Sequence, residues 1–147
     1  MVTKVDRKIL EMLQKDARVP ITQIAHEVNM SENGVKYRIE KLEEKGIIKR
    51  YVILINPSKI GKKVKAIFHI EIEPKSIKKT IPKLNKIDEF IKVYNTTGDY
   101  SITAIGLFDS NESLTNFINN KLLVDLPIQN YSYEIITKEY KDSIYTI

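Results

Sequence analysis

The chain has 147 residues, 42% apolar and 29% charged, the balance of a folded, water-soluble protein with room for one large domain or two small ones. It has no Cys and two His, His26 and His69, which removes disulfides, thiol nucleophiles and Cys-ligated metals and leaves almost no material for a His metal site or a Ser-His-Asp triad. Lys and Arg number 24 against 19 Asp and Glu, and this net +5 permits a nucleic-acid partner without establishing one.

No apolar run reaches the roughly 20 residues of a membrane span, and no signal-peptide core opens the chain, so a cytoplasmic setting without a membrane is expected. The first roughly 50 residues read as helices. Val5, Ile9, Leu10 and Leu13 follow the 3.6-residue period, with Thr3 and Asp6 as a capping pair at the start. Arg18-Val19-Pro20 breaks this helix. A short second helix is expected with Thr22 as N-cap and Ile24, Ala25 and Val28 inward. Asn29 suits the left-handed turn that follows. Ser31 then caps a third helix that buries Val35, Ile39 and Leu42 and ends at Gly46. Residues 47–55 are apolar and β-branched and are expected to form a strand.

Residues 56–63, with Pro57 and Gly61, read as a linker. From Val64 to Glu73 the pattern alternates, with Val64, Ala66, Phe68, Ile70 and Ile72 on one face. A helix is expected over 75–87, a strand over 90–96 and a turn at Thr97-Gly98-Asp99. A second strand over 100–108 completes a hairpin. Asp109 and Glu112 look like a capping box for a helix burying Leu114, Phe117, Ile118 and Leu122. A last strand runs over 128–140. The order strand–helix–strand–strand–helix–strand is the ferredoxin-like βαββαβ arrangement over residues 64–147, and the fold class is α+β.

Three short helices with a tight turn before the third suggest a helix-turn-helix, whose third helix enters the major groove. Asn33, Lys36 and Tyr37 lie in its first two turns, where base edges are reachable. Arg38, Lys41, Lys49 and Arg50 are placed for phosphates, and the Ser31 and Thr22 hydroxyls for the backbone. Gly34 on the exposed side would let DNA approach closely. Against this stand Glu32, Glu40, Glu43 and Glu44, which oppose phosphate, and the plain alternative of a solvated three-helix surface.

The run Asp6-Arg7-Lys8-Ile9-Leu10, then Asp16-Ala17-Arg18, Ile24-Ala25, Ser31, Val35, Arg38-Ile39, Leu42-Glu43 and Gly46-Ile47-Ile48, resembles the N-terminal half of the Lrp/AsnC (feast/famine) transcriptional regulators. The second half resembles that family's ligand-sensing and oligomerisation domain, including the Gly98-Asp99-Tyr100 turn. The resemblance implies a homodimer, with octamers among the known assemblies, binding palindromic double-stranded DNA and a free amino acid. It places the effector at Gly98, Asp99 and Tyr100. The family commonly has an acidic residue after this Tyr, where this chain has Ser101. Either Asp99 substitutes, or backbone and hydroxyl groups hold the ligand, or sensing is altered or lost. Ser101, Thr103, Tyr133, Glu134 and Thr137 complete the candidate effector set. If Asp99 or Glu134 lines the pocket, a basic amino acid such as lysine or arginine is favoured. The rival reading is a metabolite sensor that acts through protein partners without touching DNA. Neither an enzyme, a metal nor a cofactor is expected.

Overall fold

A computed structural model describes residues 2–142. The chain forms two compact units, one built on the chain as far as Leu54 and rejoined at Tyr140, the other on Ile55–Glu139.

In the first unit, α1 spans Lys4–Lys15, α2 Ile21–Val28 and α3 Glu32–Glu44. Thr3 and Asp6 form the expected capping box of α1. The N-cap of α2 is Pro20, so Thr22 sits inside the helix, in its first turn and exposed. Proline already fixes the φ that this entry needs, and no hydroxyl cap is made there. Asn29 takes the left-handed conformation (φ +52°) and turns the chain into Ser31, whose Oγ accepts from the Gly34 N–H at 3.1 Å. Ile9, Ile24, Ala25 and Val35 form the core, with Val28 and Ile39 packed against it. At the end of α3, the Gly46 N–H donates to the Glu43 carbonyl at 2.8 Å and the Ile47 N–H to the Leu42 carbonyl at 2.9 Å. Gly46 carries φ +67°, the left-handed stop that a glycine tolerates best.

The strand expected over 47–55 is not formed. Among the described residues nothing pairs with it, and Tyr51, Val52, Ile53, Leu54 and Ile55 are exposed. β-Branched residues set a preference for extended backbone, but a ladder needs a partner edge.

In the second unit a 3-10 turn, Pro57–Ile60, opens the chain, with the Asn56 side chain accepting from the Ser58 N–H. The remaining elements are β1 Val64–Ile72, α4 Pro74–Leu84, β2 Phe90–Asn95, β3 Ile102–Phe108, α5 Asn111–Phe117 and β4 Ile128–Ile135. A wider π turn, Ile118–Leu122, extends α5. The antiparallel sheet has the order β2-β3-β1-β4, the ferredoxin-like arrangement. Ala66, Phe68, Ile70 and Ile72 face Leu84, Leu114, Phe117 and Leu122, so both helices cover one side of the sheet. Phe90, Phe108 and Phe117 ring Phe68 at 5.3–6.0 Å between centroids.

Two local expectations are corrected here. The cap of α5 is Ser110 with Ser113, each side chain bonded to the other's backbone, one residue beyond Asp109 and Glu112. β4 ends at Ile135, because β1 begins at Val64 and the ladder runs out. The Ile136 N–H makes one more bond, to the Lys65 carbonyl at 2.8 Å.

Candidate functional site

The sequence-predicted DNA face lies on α3. Its apolar edge, Val35 and Leu42, is sealed in the unit. Its other edge presents Glu32, Asn33, Lys36, Tyr37 and Glu40 to solvent, with Tyr37 60% exposed. Asn33 and Lys36 make no ion pair or side-chain bond among the described residues, so their polar groups are available. Lys41 is engaged. Its ammonium pairs with Glu44 and lies 5.6 Å from the Tyr37 ring centroid, and the Glu44 bond and charge raise its pKa above the ordinary value. Thr22, Ser31, Lys49 and Arg50 are exposed on the same unit.

Arg38 is placed otherwise than expected. Its Nη1 donates to Asp6 Oδ1 at 2.8 Å and to Thr3 Oγ1 at 3.3 Å. Asp6 is buried (8% exposed), and its Oδ2 accepts from the Thr3 N–H at 2.9 Å and the Thr3 hydroxyl at 2.8 Å. Burial alone would raise the Asp6 carboxyl. The Thr3 bonds, the Arg38 bond and the Arg38 charge outweigh it and hold the pKa below its ordinary value. Arg38 is therefore a tie from α3 to the start of α1 rather than a free phosphate ligand. No local sequence pattern shows a pair 32 positions apart. The visible signal was only the Thr3/Asp6 cap.

A Cβ at Gly34 would meet Met30 Cε at 2.9 Å and Ser31 Oγ at 3.2 Å, so a side chain here needs the flexible Met30 end and the capping hydroxyl to give way.

The Thr97–Ser101 loop joins β2 to β3. Gly98 has φ +130°, which side-chain-bearing residues rarely adopt. The loop is clamped from below. The Thr96 N–H donates to the Ser101 carbonyl at 2.9 Å, the Thr96 hydroxyl to the Tyr100 carbonyl at 2.9 Å, and Asn95 Nδ2 to the Ser101 carbonyl at 3.2 Å. Asp99 is exposed at the tip. Ser101 Oγ accepts from the Ile72 N–H at 3.1 Å, so this hydroxyl closes the end of the β1 ladder. The Tyr100 ring lies 5.8 Å from that of His69, whose Nδ1 is 3.4 Å from Thr103 Oγ1.

The other candidate effector residues are not gathered at this loop. Tyr133 pairs with Phe68 in register and stacks on it at 5.9 Å, on the helix side of the sheet. Glu134 pairs with Ile67 and points the opposite way. Thr137 lies past the end of β4, toward the Val64 end of β1, whereas the loop stands at the Ile72 end. β4 runs antiparallel to β1 and stops at Ile135, so its C-terminal end, with Thr137 beyond it, lies away from the loop. Asn95, Thr96 and His69 are the residues that the fold puts beside it instead. Among the described residues no group of three or more His, Asp or Glu is spaced to hold a metal ion.

The chain matches the winged helix-turn-helix DNA-binding family over residues 3–49 and the Lrp/AsnC ligand binding domain over residues 65–145. It belongs to the Lrp/AsnC family. It is 33% identical over 142 residues to the HTH-type transcriptional regulator Ptr1 of Methanocaldococcus jannaschii, across 97% of this chain and 96% of that one. It is 38% identical over 122 residues to the regulator LrpA of Pyrococcus horikoshii, across 83% of this chain and 86% of that one. The fold superposes on Escherichia coli AsnC with a TM-score of 0.95 and 27% identity, over 100% of this chain and 99% of that one. It also superposes on a Neisseria meningitidis transcriptional regulator solved as its L-Met complex, with a TM-score of 0.92 and 22% identity over 97% and 94% of the two chains. This Lrp/AsnC chain is thus a DNA-binding transcriptional regulator with a ligand-binding domain, and its named relatives are regulators rather than enzymes. Among the described residues no helix is long and apolar enough to cross a membrane.

Proposed function

We propose that this Lrp/AsnC regulator binds a palindromic operator as a homodimer through α3 and adjusts that binding to a free amino acid held at the Thr97–Ser101 loop. The DNA-binding part lies within residues 1–55, the sensing and assembly part within 64–147, and 56–63 connect them. The observation that carries the reading is the split of α3 into a sealed apolar edge and an open edge bearing Asn33, Lys36 and Tyr37. Asn33 suits an adenine edge and Lys36 a guanine edge or a phosphate. Thr22, Ser31, Lys49 and Arg50 add backbone contacts, and Lys41 does so once it exchanges Glu44 for phosphate.

A dimer is supported by physical need and by surface. One helix in one groove makes few contacts, and two half-sites double them and fix the spacing. On the side of the sheet away from α4 and α5, Ile67, Ile105 and Leu107 stand partly exposed, and no helix of this unit covers them. Apolar surface of this kind is what a subunit interface buries.

For the effector, the loop offers the exposed Asp99 carboxylate to an ammonium group and turn N–H groups around Gly98 to a carboxylate. Asp99 alone supports a basic amino acid, lysine or arginine, because Glu134 stands elsewhere. Selection of duplexes from a random pool, followed by footprinting, tests the DNA reading. Protection of two half-sites about one helical turn apart is expected. A pool that yields no protected duplex, with any of the twenty amino acids present, would leave the sensor that works through protein partners. A thermal-shift screen of the same twenty tests the effector. A binder raises the unfolding temperature with the logarithm of its excess over Kd.

A further inference from the structure

Between Pro74 and Lys86 the chain carries five lysines, Lys75, Lys78, Lys79, Lys83 and Lys86, and no acidic residue. This short run holds as much net charge as the whole chain, +5, so every other charge in the protein sums to zero. The positions fall at i, i+3, i+4, i+8 and i+11, one stripe of α4 and the turn after it. All five are exposed, while Ile77, Ile81 and Leu84 of the same helix pack on the sheet and Thr80 is buried.

The stripe is only lightly neutralised. Lys75 lies 2.6 Å from Glu73 Oε1, and Lys83 reaches the Asp125 carbonyl at 3.4 Å. Lys78, Lys79 and Lys86 have no ion pair among the described residues. Like charges three and four positions apart weaken a helix by a few tenths of a kcal/mol per pair, and Lys75 opposes the positive end of the helix dipole. Among the described residues the Glu73 pair offsets this only in part, whereas a polyanion would offset it along the whole stripe.

We propose that the α4 stripe is a second, sequence-independent DNA contact, which grips the phosphodiester backbone of duplex flanking the operator. The proposal rests on the DNA-binding reading. Lysines are point charges that neutralise phosphate without reading bases. The stripe has no aromatic side chain on which unpaired bases would stack, which disfavours single strands. Its apolar edge is spent on the core, so it lacks the greasy face that a membrane-surface helix buries. A duplex held elsewhere by the same chain supplies the high local concentration that lets weak phosphate contacts count.

The test uses the full chain and an operator selected by the wild type, set in duplexes of about 25 and about 150 base pairs. The triple variant Lys78→Gln, Lys79→Gln, Lys86→Gln is titrated on both across a salt series. On the long duplex the slope of log affinity against log salt is expected to fall by about 0.9 per lost contact, about 2.7 in all, with affinity down at least about tenfold at low salt. On the short duplex both are expected to stay at the wild-type values, and the Lys→Arg triple is expected to keep the long-duplex behaviour. Equal responses on the two lengths, or none on either, would overturn the stripe's role. If the wild type selects no duplex, the helix-turn-helix reading has failed, and the stripe is then judged on a random-sequence duplex of the longer length. There an unchanged salt slope in the triple variant overturns it.

Discussion

Lys36 and Arg38 sit two positions apart on α3 and are expected to fail differently when truncated. Lys36 is exposed and has no ion pair among the described residues, so Lys36→Ala is expected to weaken operator binding and lower the salt slope by about 0.9. Arg38 joins α3 to the Thr3/Asp6 cap. Arg38→Ala is expected to cost about 1–2 kcal/mol of folding stability, because it leaves a buried carboxylate with one partner fewer, and to leave the salt slope unchanged. Urea unfolding and gel shifts across salt separate the two. A drop in slope for Arg38→Ala would return it to the phosphate contacts.

Asp6 adds a pH signature. Its folded pKa lies below the ordinary 3.8, so the unfolded chain takes up this proton first as pH falls. The stabilisation is complete above the unfolded pKa and is lost as pH drops through the lower, folded value. Asp6→Asn should therefore be less stable than wild type at neutral pH, and the gap should close in acid. A gap that does not narrow as pH falls below the ordinary 3.8, read by urea midpoints, would refute the assignment. Tyr51 works at the other end. Partial desolvation of the hydroxyl, on a side chain that is otherwise about half exposed, joins the Glu43 bond at 2.7 Å and the Glu43 charge to raise its pKa to about 12. This hydroxyl thus stabilises the fold up to the ordinary value near 10, and the benefit fades as pH rises toward 12.

At the scale of elements, the termini decide whether α3 is presented intact. Gly46 ends α3 with φ +67° and nothing within 4 Å of an added Cβ, so Gly46→Ala isolates the backbone cost. A loss of about 1 kcal/mol is expected in thermal or urea unfolding. Helices and strands were legible in the sequence because their buried residues repeat at 3.6 or 2: Val35 and Leu42 in α3, Ala66 to Ile72 in β1, Leu114 to Leu122 after β3. Ends were less legible. Ser, Thr and Asp compete for one cap, and the winner at α5 was Ser110 because Ser113 lies in reach to bond back. The strand over 47–55 failed for a different reason: composition states a backbone preference, while pairing depends on a neighbour that local sequence does not encode.

For the whole molecule, the sheet side that no helix of its own unit covers is where the proposed dimer contact is tested. Ile105→Glu would put a charge among Ile67, Leu107 and the adjacent strands without touching the helix-covered core. The variant is expected to sediment as a monomer and to lose at least about tenfold in operator affinity, since a single half-site is left. A variant that stays dimeric by sedimentation would move the interface elsewhere. The candidate effector loop belongs to this scale too. Gly98 and Asp99 were visible as turn chemistry, and the Tyr100 position by its place in the family pattern. The residues that the fold places beside this loop, Asn95, Thr96 and His69, follow from hairpin and register geometry, and the same register sends Thr137 to the other end of the sheet.

Local order along the chain was sufficient to specify which segments coil, which extend and which face of each is apolar, since those follow from periodicity and side-chain chemistry within a few residues. It also carried the family pattern, whose spacing spans both halves. The tie from Arg38 to Asp6, the diversion of the Ser101 hydroxyl to the β1 backbone and the dispersal of the effector candidates were settled only when distant segments met. Each depends on a partner more than 25 positions away or on strand direction, and such partners are chosen by packing.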